Sequence, residues 1–131
     1  MAQGVKARTL NGNTLAYLGD GVFELMVREY LICNSQIQAR KLHLEAQKYV
    51  SANSQAKFMK LIEPLLTTEE LRYAKLGRNA RLSPNKKSSP QVHSSASALE
   101  SLFGFLYIEK RTKRMDDLLQ VISNTIEQIN P

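Results

Sequence analysis

Apolar residues return every three or four positions through "LAYLGDGVFELMV", the spacing of one face of an α-helix. Leu15, Leu18, Val22, Leu25 and Met26 fall on one stripe, and Phe23, Val27 and Leu31 form a second flank beside it. Asn13 and Thr14 offer a cap at its start, and "CNSQ" interrupts it after Leu31. The same period predicts helices over 36–50 and 54–65, broken near "SANS" and stopped around Pro64, whose ring cannot continue a helix. Thr67 followed by Glu70 has the spacing of a capping box, which predicts a helix from there to about Asn79. "RLSPNKKSSPQVHSS" carries serines and prolines with little apolar content and reads as a long loop. Helices over 95–110 and 112–129 complete the chain. No strand-like alternation and no repeat occurs, so the pattern predicts an all-α fold, a compact helical bundle.

Two carboxylates break this pattern. Asp20 falls within the second flank of the first helix, where burial without a partner would cost several kcal/mol. Between Ala98 and Ile108 the only charge is Glu100, set on the helical wheel among Phe103, Gly104 and Tyr107. Gly104, one turn beyond it, predicts the close approach of another helix. Both helices are apolar nearly all round and must be central. If their acids converge, like charges require either a shared proton or a cation between them. Oxygen ligands without cysteine or histidine at zinc spacing suit a hard ion such as Mg²⁺. The alternative, that each acid is separately paired with an arginine or a helix end, stays open at this point. Glu24 is either a third ligand or, four residues before Arg28, half of an ordinary helix ion pair. Neither His43 nor His93 has an acid or nucleophile at a catalytic spacing, and His43 suits packing or RNA contact better. No glycine-rich phosphate loop is present.

Length and composition narrow the picture further. The 131 residues suit one domain, 1–131, with residues 1–10 as a flexible lead. No apolar run approaches the roughly 18 residues that a membrane span needs, and "MAQGVKARTL" has no secretory core, so a cytoplasmic protein with no membrane partner is expected. Cys33, the sole cysteine, excludes an internal disulfide and reads as a reduced structural thiol. Charge is more telling. The net +6 resides in 71–99, a stretch without acids that holds Arg72, Lys75, Arg78, Arg81, Lys86 and Lys87. Such a segment suits a polyanion; on charge alone nucleic acid, an acidic protein and a membrane surface remain open.

"LAYLGDGVFELMVREYL" closely resembles the signature helix of ribonuclease III catalytic domains. The similarity runs on through "KLHLEAQKYVSANSQA", "LTTEELRYAKLGRNAR" and "SALESLFGFLYI", over roughly residues 10–119, and is to the short Mini-ribonuclease III branch. The resemblance implies an all-α, homodimeric, Mg²⁺-dependent endoribonuclease that cuts double-stranded RNA and matures the large-subunit (23S) ribosomal RNA precursor. Asp20 matches the signature aspartate and Glu100 the metal-binding glutamate, which implies catalytic and metal-binding roles for both. The chain departs from full-length members at Ala16 and Ser97, where they carry a second glutamate and an aspartate. It departs at Gly21, where alanine is usual, and at Ser97 and Ser101, where Thr and Ala are usual. The resemblance is to the branch expected to lack the family's separate RNA-binding domain, so Arg78, Asn79, Arg81, Lys86, Lys87 and His43 are the expected RNA contacts. Two rival readings are a catalytically weak module that grips ribosomal RNA without cutting it and a helical protein–protein adaptor.

Overall fold

A computed structural model describes residues 4–34, 38–80 and 89–129. Among them lie six α-helices and no strand: α1 Gly12–Asn34, α2 Ala39–Val50, α3 Ala52–Ile62, α4 Thr68–Arg78, α5 Pro90–Ile108 and α6 Thr112–Ile129. The all-α bundle expected from the periodicity is what forms. None of its helices is long and apolar enough to cross a membrane.

α5 is the axis of the bundle, with α1, α3 and α4 packed around it. Its sequence explains why. Leu99, Leu102, Phe103, Phe105 and Leu106 point in different directions around the helix, and all are buried. Only neighbours on several sides can cover such a helix. Phe103 meets Phe23 of α1 edge-on, with centroids 5.2 Å apart, and Phe105 stacks on Tyr73 of α4 at 4.0 Å. Small residues let the backbones close in. A Cβ on Gly77 of α4 would strike the carbonyl of Ser97, and the Ser101 hydroxyl donates to the Tyr73 carbonyl at 2.8 Å.

The Thr67 capping box forms as expected, the Glu70 N–H donating to Oγ1 of Thr67 at 3.1 Å and the Thr67 N–H to Oε1 of Glu70 at 2.9 Å. Glu70 does more than cap. It is 2 % exposed, and the Arg114 guanidinium of α6 grips both its oxygens at 2.8 Å while also donating to the Leu65 carbonyl. Burial alone would raise the Glu70 carboxyl, but hydrogen bonds from Arg114 and the Thr67 backbone, with the arginine's charge, hold it below the usual range. This half-buried fork fastens the last helix to the fourth.

Three expectations are corrected. α5 begins at Pro90 rather than near 95, because Ser89 caps it through the Val92 N–H and proline fits the first turn, whose N–H groups lack helical partners. α1 is capped by Asn11, whose Oδ1 accepts from the Thr14 N–H at 2.8 Å. Ahead of α1, Ala7–Thr9 form a 3-10 turn, with Ala7 buried and its N–H donating to Glu109. Cys33 is exposed rather than structural.

Candidate active site

The buried face of α1 consists of Gly12, Leu15, Ala16, Gly19, Val22, Phe23, Val27 and Leu31. It differs from the two-flank reading, since Leu25 is 67 % exposed and Asp20 faces solvent at the edge of the buried face. Hydrophobic counting gave no weight to Ala16 and Gly19, which occupy the middle of the contact. A Cβ on Gly19 would fall on the backbone carbonyl of Glu100, and one on Gly104 would fall on that of Leu15. The helices therefore touch backbone to backbone, as Gly104 led us to expect.

This crossing places the two outlying acids together. Asp20 follows the contact glycine, and its carboxylate reaches the half-buried carboxyl of Glu100. From α3 the side chain of Gln55, only 3 % exposed, hydrogen-bonds the same Glu100 carboxyl. Burial, then the charge of Asp20 and the hydrogen bond to it, push Glu100 up to about 8, with Gln55 acting in the opposite sense. Near neutrality, without a cation, Glu100 thus keeps its proton and donates it to Asp20. Among the described residues neither acid takes an arginine partner; the two face each other instead.

The residues present suit a hard divalent ion. A buried acid held protonated by a neighbouring carboxylate marks a place where positive charge is wanted. Among the described residues no cluster of three or more His, Cys, Asp or Glu that could hold a metal exists, and Glu24 is turned to Arg28 at 2.9 Å in an exposed helix ion pair. Two carboxylates match Mg²⁺, which commonly keeps several of its waters, and not structural zinc, which is normally closed by four protein ligands.

The RNA-contact candidates are scattered. Arg78 ends α4 and pairs with Glu63 at 3.3 Å, and Asn79 follows as its C-cap. Because Gly77 rests on the Ser97 carbonyl, this end of α4 abuts the turn of α5 that precedes Glu100. Arg81, Lys86 and Lys87 lie outside the described residues. His43 is exposed on α2 and lines a groove of about 320 Å³ with Glu24 and Arg28, whose walls include neither Asp20 nor Glu100. His93 falls within α5, and its Nε2 is buried with no partner among the described residues. Sequence reasoning missed Gln55. The signal was available: Gln55, Phe58, Met59 and Ile62 share a helical face, and all are buried.

A family model described as "Ribonuclease III domain" matches residues 13–111, which span both acids and the helices that position them. The chain belongs to the ribonuclease III family. Its relatives include the Mini-ribonuclease 3 of Staphylococcus aureus, 38 % identical over 124 residues and covering 92 % of each chain. That of Symbiobacterium thermophilum is 36 % identical and covers 92 % of this chain and 93 % of its own. A crystal structure of a Fusobacterium nucleatum protein superposes with a TM-score of 0.79 over 86 % of this chain and 92 % of that one, at 24 % identity, and so shows the same fold. Members of the ribonuclease III family are endoribonucleases acting on double-stranded RNA, and the resemblance in the "LGDG" helix is thereby accounted for.

Proposed function

We propose that this ribonuclease III family member is a Mg²⁺-dependent, homodimeric endoribonuclease of the cytoplasm that cuts double-stranded RNA, maturing the 23S ribosomal RNA precursor. The observation that carries the reading is the meeting of Asp20 and Glu100, two acids from helices far apart in sequence, around a charge deficit. These two carboxylates would hold the ion. When bound, Mg²⁺ supplies charge neutralisation at the scissile phosphate and acidifies a coordinated water.

The chain's own residues do the rest. Glu100 would release its proton to solvent when a cation binds, so that the pair would carry its full negative charge only with the ion in place. Asp20, on the solvent side, faces the approaching duplex, and beside it Gly21 has nothing within 4 Å, which leaves the surface open. A-form RNA presents phosphates and 2′-hydroxyls rather than readable base edges, so the grip is by shape and charge. Arg78, Asn79, Arg81, Lys86 and Lys87, with His43, are its proposed contacts. On the outer face of α1, Tyr17 is 85 % exposed and Leu25 67 %. A two-fold interface through this face would bury the same patch on both copies and set two acid pairs across one duplex.

Plain duplex RNA incubated with Mg²⁺ should be cleaved, and EDTA or Asp20→Asn should stop cleavage while leaving binding nearly intact. Ala16 and Ser97, where full-length members resemble one another in carrying acids, favour a second reading as a module that binds without cutting. Binding without Mg²⁺-dependent products in the wild type would establish that module instead. Lys86→Ala with Lys87→Ala should weaken binding to all duplexes alike and flatten its salt dependence by about one to two counterions. An unchanged slope would move the grip to α2.

A further inference from the structure

Gln55 is the most deeply buried side-chain amide at the acid pair. It stands on the first turn and a half of α3, a helix started by Ser51, whose carbonyl accepts the Gln55 N–H at 2.9 Å. α3 lies along α5, so this amide is carried against Glu100 by two packed helices rather than by a loop. Apolar Phe58, Met59 and Ile62 continue the same face of α3. An amide placed among them without a partner would cost stability, and its partner is the Glu100 carboxyl.

The chemistry of the donor matters. A lysine or arginine in this place would neutralise Glu100 and compete with a cation. A third carboxylate would add like charge that only a bound cation could offset. An amide N–H donates to a carboxylate and carries no net charge, so it fixes the oxygen without spending the site's negative charge. We propose that Gln55 is a positioning residue for divalent cation binding: its amide anchors one oxygen of Glu100 so that the other is presented, with Asp20, to the ion. This inference rests on the reading of Asp20 and Glu100 as the cation ligands. Groups that orient ligands in this way commonly affect metal affinity by about 10- to 100-fold.

The test is Mn²⁺ binding to full-length protein, measured by electron paramagnetic resonance and by calorimetry, without RNA. Gln55→Met keeps the volume and removes the donor; it should weaken Mn²⁺ binding by about 10-fold or more, and raised Mg²⁺ should recover most of the cleavage rate. Gln55→Glu keeps the shape and can itself accept the cation, so it should bind Mn²⁺ at least as tightly as the wild type. Should Gln55→Met not fold, Gln55→Asn, whose amide is one methylene too short, takes its place with the same expected loss. Unchanged affinity in the donor-free variant, or equal losses in Gln55→Met and Gln55→Glu, would overturn the proposal and leave Gln55 a packing residue. Asp20→Asn separates this from the underlying reading: if it binds Mn²⁺ like the wild type, the ligand assignment itself is wrong.

Discussion

Gly19 rests on the backbone carbonyl of Glu100, so the residue before Asp20 touches the very residue that Asp20 faces. The acid pair is set by this backbone contact and not by the reach of two flexible side chains. Gly19→Ala must push α1 away from α5, and a carbonyl held in a helix cannot step aside as a side chain can. We expect a loss of at least about 3 kcal/mol with a matching fall in cleavage. Gly21→Ala, two residues on, meets open space and should stabilise the helix by about 0.5–1 kcal/mol. Urea unfolding of both variants in EDTA checks the contrast, which disappears if the helices do not cross at Gly19.

Stability should depend on pH in an unusual direction. In the metal-free folded protein burial and then the neighbouring Asp20 push Glu100 from an ordinary 4.5 up to about 8, so the folded state keeps a proton that the unfolded chain releases. This contribution is complete below the unfolded value and is lost as pH rises from there through the folded one. Glu100→Gln cannot lose that proton. It should overtake the wild type in thermal stability toward pH 8, by an amount on the order of a few kcal/mol, and Mg²⁺ should narrow the gap by stabilising the wild type alone. Parallel melting curves across this range would refute the assignment.

Glu70 should behave in the opposite sense. Its carboxyl is held below the ordinary value, so its contribution is present above that value and is lost as pH falls through the folded one. Glu70→Gln leaves Arg114 without its charge partner and should cost about 2–3 kcal/mol at neutral pH, less than a fully buried pair because the arginine is partly exposed. Cleavage per folded molecule should survive, since Glu70 faces α6 and not the acid pair. Denaturation at pH 7 and at pH 4 measures both the loss and its shrinkage in acid.

The α1 pair of Glu24 and Arg28 is an exposed helix contact at 2.9 Å. Glu24→Gln should change stability by less than about 0.5 kcal/mol and leave cleavage in place. A large loss of Mg²⁺ affinity in this variant would return Glu24 to the ligand set.

The exposed side of α1 gives a separate test of assembly. Sedimentation at micromolar concentration should show a dimer, and Tyr17→Glu with Leu25→Glu should give monomer. On duplex RNA the monomer should lose the paired cuts on opposite strands. A wild type that sediments as monomer would remove the two-fold arrangement.

Much of the bundle was legible because periodicity reports burial of large side chains, and the boundaries of α6 and the cap of α4 followed from local chemistry alone. α5 starts earlier than serine- and proline-rich composition suggests, because a serine cap followed by proline is itself a helix start. Asp20 and Glu100 stood out as lone charges in apolar helices. That Asp20 is exposed was not legible, because the centre of the α1 contact is glycine, which hydrophobic counting scores as nothing. The Glu70–Arg114 fork was hidden for another reason: each residue looks ordinary on its own helix, and only tertiary packing brings them together. Gln55 lay between these cases, readable as a polar residue on an apolar face but with a partner on another helix.

The order of the helices also has a consequence in time. Asp20 is made with the first helix, and Glu100 follows only 80 residues later. A ribosome adding roughly 5–20 residues per second needs about 4–16 seconds to cross that interval. Until α5 has been made, Leu15, Phe23 and Val27 have no surface to lie against, and the nascent chain holds one half of its acid pair. The two carboxylates therefore cannot meet in a nascent chain, and the pair comes into being only after most of the helices have been made.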